Sequence, residues 1–120
     1  MENGKIMESE LKISILEFTK TQTPEGRSSD DGTGADALRE LLEESWDRYE
    51  KIFVIFEGIV KMSRVFTDEA FAKLLDKYTL DEFNQKIFFP DAKEVMIKEL
   101  NSSFKLRLRI LKSQREREDI

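Results

Sequence analysis

The chain has 120 residues, 38% of them charged, a formal net charge of −5, nine Phe, and neither His nor Cys. That length suits one small domain, and nine Phe are too many for a chain that stays disordered throughout. Without His or Cys, the commonest general base, the commonest nitrogen ligand for metals and the thiolate nucleophile are all missing, which excludes most zinc, haem and triad chemistry.

Met1 to Met7 contains Glu2 and leads into no apolar stretch of the signal-peptide kind. The longest uninterrupted apolar run, Ile52 to Phe56, is far short of the roughly 20 residues of a membrane span. With no cysteine to pair, the pattern fits an intracellular protein, cytoplasmic or nuclear. In the first twenty residues Leu11, Ile13 and Ile15 alternate as in a strand, whereas Leu11, Ile15 and Phe18 fit a helix. Helix is preferred, because no second strand pattern stands out to pair with a lone strand. Residues 1–20 are therefore read as an N-terminal tail with a short helix. Thr21 to Gly34 holds three of the five Gly and one of the two Pro with no apolar residue between them, the composition of a flexible linker. Residues 35–120 remain as a helical domain.

Asp36 is placed to cap a helix. From there Leu38, Leu42, Ser45, Tyr49, Ile52, Phe56, Ile59 and Ser63 follow one another in steps of four and three, a heptad-like seam. Trp46, Phe53 and Val60 recur every seven residues beside it. A helix that long extends about 40 Å, and so broad an apolar face suits contact with two or more other helices. Thr67, followed by Asp68 and Glu69, suits the start of a helix carrying Phe71, Leu74, Leu75 and Tyr78. Thr79 and Glu82 have capping-box spacing ahead of a short helix with Phe83 and Ile87 inward. Pro90 stops that helix. Asp91 and Glu94 repeat the box before a final helix from Ala92 to about Arg117, with Ile97, Leu100, Phe104, Leu108 and Leu111 along one face. The predicted fold is all-α: an αα-hairpin of two long amphipathic helices with short connecting helices, packing with partners as a bundle or coiled coil.

On this reading Leu42, Trp46, Tyr49, Ile52, Phe53, Phe56, Ile59 and Val60 on the first long helix, and Ile97, Leu100, Phe104, Leu108 and Leu111 on the last, are candidate partner-interface residues. The competing reading makes the same face the domain's own core. A domain this small buries only about 60 to 65% of the surface its unfolded chain exposes, so a partner covering more apolar area would add stability. Self-association stays open.

Paired carboxylates occur, as in Glu43 with Asp47 and Asp68 with Asp76. Such pairs can drive hydrolysis or bind Mg²⁺ in a cleft, but among 25 acidic residues they also arise as solvated helix surface. Gly32 to Gly34 lacks the strand before it and the Lys-Ser or Lys-Thr after it that a phosphate loop needs. The expectation is a protein without enzymatic activity, cofactor, metal or small-molecule substrate. The last helix carries Lys105, Arg107, Arg109, Lys112, Arg115 and Arg117. Cations there complement the helix dipole. They also have an internal counterpart, since Asp36 to Glu57 holds seven acidic and three basic side chains. No aromatic interleaves the basic residues after Phe104, as a single-strand stacking surface would require. With the net negative charge this disfavours nucleic acid.

Arg48, Tyr49, Lys51, Ile52, Ile55, Phe56, Ile59 and Val60, with Phe71 in a second segment, stand in the order found in an opening helix of the kinetochore family that includes the Nnf subunit of yeasts and polyamine-modulated factor of animals. The chain resembles that family from about Ser45 to Ser113, and departs from it after Phe71, where a Cys-Phe-Pro-like ending is absent. The resemblance implies a non-enzymatic structural subunit of the elongated MIND complex in the nucleus, acting in chromosome segregation with other helical subunits as partners. Independent of it, the residues read as a helical protein-protein interaction subunit of a larger assembly, or alternatively as a self-contained helical adaptor or regulator.

Overall fold

The computed structural model describes residues 8–118; the leader-free reading of Met1 to Met7 lies outside them. In chain order the elements are β1 (Glu8–Ser14), α1 (Ile15–Thr19), α2 (Ala35–Ser45), β2 (Tyr49–Ile55), α3 (Arg64–Ala70), a 3₁₀ turn (Ala72–Asp76), α4 (Leu80–Lys86), β3 (Ile87–Phe88) and α5 (Glu94–Glu118). The three strands form one parallel sheet in the order β1-β2-β3. The expected all-α hairpin is therefore overturned: this is an α/β fold, and α5 is the one long helix among the described residues.

The expected first long helix breaks for local reasons. After Ser45 the chain tightens, with the amide of Trp46 donating to the carbonyl of Glu43 (3.3 Å) and that of Arg48 to Ser45 (3.0 Å). Tyr49 to Phe56 is then rich in aromatic and β-branched side chains, which favour a pleated strand. Spacings of three and four at Tyr49, Ile52, Phe56 and Ile59 mimic a helical seam, yet Ile52, Val54 and Phe56 also alternate. Over so short a run the two periods coincide. Burial follows the alternation: Ile52, Val54 and Phe56 are buried, while Lys51 is exposed and Phe53 and Ile55 are half-buried. β1 supplies the partner that the sequence reading missed, with Leu11 beside Ile52 and Ile13 beside Val54. Gly58, at φ 87°, then turns the chain in the left-handed region that glycine tolerates. A Cβ there would lie 2.5 Å from Leu16 Cδ2. Arg48 to Ser63, the segment behind the kinetochore resemblance, thus forms β2 and the turns after it.

Several end signals act as read, and others act differently. The Thr79 and Glu82 capping box is present at α4, and Phe83 and Ile87 are buried. Gly34, not Asp36, is the N-cap of α2, and the Asp36 carboxylate accepts from the amide of Ala37 instead. Ser63 caps α3, placing Thr67 inside it. The Asp91 carboxylate accepts from the amide of Phe56 at 2.8 Å, pinning the end of β2 to the start of α5. The stretch read as a linker packs onto the body of the fold: Pro24 is fully buried, the carbonyl of Gln22 accepts from Val60 (2.7 Å) and that of Arg27 from Asp36 (2.8 Å).

One face of the sheet thus closes over the core, joined by Leu38 and Leu42 of α2, Phe66 of α3, Phe71, Leu74 of the 3₁₀ turn, Phe83 of α4 and Leu100 of α5. Each such side chain contributes roughly 1.5 to 3 kcal/mol by leaving water. The other face carries exposed Glu10, Lys12 and Lys51 beside half-buried Phe53, Ile55 and Phe88.

Candidate functional site

The thirteen residues expected at an interface separate into three groups. Leu42, Trp46, Ile52, Phe56, Ile59 and Leu100 are in the chain's own core. Tyr49, Phe53, Phe104 and Leu111 are half-buried, and Val60, Ile97 and Leu108 are exposed. The seam of the expected first helix is largely spent inside the molecule; Trp46, for example, stacks flat on Tyr78 with ring centroids 3.7 Å apart. Burial, and after it the charges of Asp47, Glu43 and Glu82, raise the pKa of Tyr78, so its phenol stays protonated.

The ionisable side chains that cluster are paired with one another. Glu69 is buried and meets Arg39 (2.6 Å), Lys73 (2.9 Å) and Arg27 (3.7 Å). Burial works to raise the pKa of its carboxyl, but the hydrogen bonds and charges of Arg39 and Lys73 outweigh that and the net shift is downward. The fold does bring Asp68 and Asp76 together, but around the guanidinium of Arg107, at 2.7 and 3.9 Å. That arrangement fastens α5 to α3 and the 3₁₀ turn. The exposed carboxylate of Asp31 accepts from the hydroxyls of Ser29 and Thr33, chiefly Ser29, which lowers its pKa and shapes the loop. Among the described residues no group of three or more His, Cys, Asp or Glu is placed to hold a metal ion, and no helix is long and apolar enough to cross a membrane.

What remains open is a groove of about 480 Å³ between α4, β3 and α5. Leu80, Phe83, Ile87, Phe88, Phe89, Ile97, Leu100, Phe104 and Leu108 line it with Asn84, Asn101 and Lys105, so nine of its twelve residues are apolar. Its position follows from local structure. Pro90 ends the short strand, and α5 then runs back past α4, where Phe104 meets Phe83 edge-on at 4.9 Å. β3 is two residues long and pairs only with β2 among the described residues, which leaves its outer edge open to the groove. Phe88 turns to the open face of the sheet, where it meets Phe53 at 5.6 Å and the ammonium of Lys51 lies 5.6 Å from its ring. The apolar strip therefore continues from the groove onto that face.

Of the expected interface residues the structure gathers Ile97, Leu100, Phe104 and Leu108 here, while Leu111 lines a second cleft beside the 3₁₀ turn and α4. The sequence reading missed Leu80, Phe88 and Phe89. The signal available was the aromatic cluster Phe83 to Phe89 ahead of Pro90, which reads as a groove wall only once Ile87 and Phe88 are seen to be a strand. No family model, no curated protein and no solved structure matches the chain.

Proposed function

We propose that this chain is a non-enzymatic protein-interaction module that folds by itself and receives an apolar segment of a partner protein in the groove between α4, β3 and α5. The observation that carries the reading is the groove itself: an open, largely apolar channel edged by Ile97 at 45% and Leu108 at 38% exposure. Open apolar grooves with a few polar groups at the edge suit an amphipathic helix or extended segment. The absence of His and Cys from the sequence and the mutual pairing of the clustered acids and bases support a binding role over a catalytic one. Burial of the Leu42 to Ile59 seam favours the self-contained adaptor over a subunit that folds only within an assembly. The missing cysteine supports a place inside the cell.

Sedimentation velocity and thermal melting of the isolated chain test this. A monomer melting in one cooperative transition is expected. A chain that is unfolded alone, or folded only as an oligomer, would overturn the reading and return the seam residues to an intersubunit role.

A further inference from the structure

The charges around the groove are not those of the chain as a whole. The protein carries a net charge of −5, yet no acidic side chain lines this groove and its one charged lining residue is Lys105. At about 100° per residue along α5, Lys98, Lys105, Arg109 and Lys112 fall on one exposed flank beside the groove-facing Ile97, Phe104 and Leu108, with Glu94 and Glu116 only at its two ends. Lys98 lies 3.9 Å from Glu94, but both side chains are at least three-quarters exposed, so the pair neutralises little. On the open face of the sheet, where the apolar strip continues, Lys51 lies over Phe88 with Glu10 as its neighbour on β1. The α5 edge of the apolar channel is thus mainly basic.

Building on the groove reading, we infer that the occupant is an acidic amphipathic helix of about three turns from a partner protein, its apolar side chains in the groove and its carboxylates along Lys98, Lys105, Arg109 and Lys112. From Ile97 to Leu108 the α5 wall extends about 16 Å, which sets the length. Helices bound in such grooves place anchors at i, i+3 or i+4, and i+7. Acidic residues beside those anchors would meet the basic flank, raising the association rate and disfavouring basic competitors. A nucleic acid would need flat, accessible rings between its phosphate contacts, whereas Phe83 is buried and Phe104 is half-buried with Phe83 against it edge-on.

Panning a phage-displayed library of random 16-residue peptides on the full chain tests this, followed by anisotropy titrations of the most enriched synthetic peptide. Peptides of net negative charge with apolar residues at helical spacing are expected. Lys105→Glu with Lys112→Glu should weaken their binding about tenfold, and replacing peptide acids with Lys should restore it. Both lysines are exposed, so an unchanged melting curve separates this loss from unfolding. If neutral or basic peptides are enriched, and their binding is lost in Ile97→Asp, the charge inference falls while the groove reading stands. If no peptide is enriched, or binding ignores Ile97→Asp, both fall. Salt-sensitive binding of a single-stranded oligonucleotide that competes with the peptides would replace the protein partner with a nucleic acid and overturn the inference.

Discussion

Two apolar rows look alike in this sequence and end in opposite places. The row from Leu42 to Ile59 is interior: Leu42, Ile52 and Phe56 are at most 2% exposed. The row from Ile97 to Leu111 lies along α5, with Leu100 in the core, Phe104 half-buried, and Ile97 and Leu108 at the edge of an open groove. The difference lies in what covers each row. The first row shares one core cluster with Ile13 of β1, Leu38 of α2 and Phe66 of α3, whereas α5 follows all the other elements and packs one side against α3 and the 3₁₀ turn. Apolar spacing along a chain therefore marks a face that needs covering, and the cover can come from the same chain or from another.

The sharpest way to break that comparison is truncation of each row. Phe56→Ala should cost about 3 to 5 kcal/mol of stability, read from urea melts. An interface role for Phe56 would instead leave the isolated chain unchanged. The ion pairs behind the interior row come next. Glu69→Ala leaves Arg39 and Lys73 without their carboxylate and should cost about 2 to 3 kcal/mol, because these are hydrogen bonds to charged groups whose cationic partners recover only part of their hydration.

The same carboxylate sets an acid sensitivity. Its folded pKa lies below its ordinary value of 4.5, so the stability it contributes is present above that value and is lost as pH falls through the folded one. The melting temperatures of the native chain and Glu69→Gln should accordingly converge as pH is taken from about 6 down to about 3. A gap that widened toward acid would contradict the assignment.

Gly58→Ala tests the turn that follows β2. It should cost about 1 to 2 kcal/mol for the left-handed backbone, and more if Leu16 cannot move aside. A gain in stability and helicity would revive the continuous helix. The smallest effect belongs to the outer row: Ile97→Asp should change stability by no more than about 0.5 kcal/mol, leaving partner binding as the property it alters.

The parts that were legible in the sequence depend on neighbours close in the chain. α5 was read within two residues of its observed limits, and the Thr79 and Glu82 box was read from two side chains three apart. Inward packing of Phe83 and Ile87 followed from their spacing.

Only tertiary structure decided the rest. Whether Tyr49 to Ile55 becomes helix or strand depends on Leu11 and Ile13, which lie about forty residues away in the chain and meet it through backbone hydrogen bonds. Side-chain spacing cannot report those bonds, because seven residues satisfy a period of 2 and one of 3.6 almost equally well. The groove was equally hidden: Phe88 and Leu108 share it only because β3 is short and α5 runs back alongside α4. Residue order alone marks which side chains need to leave water; the long-range pairing of β1 with β2 sets which of them enter the core, and the course of α5 beside α4 and β3 sets which stay open at the groove, because both depend on contacts between segments far apart in the chain.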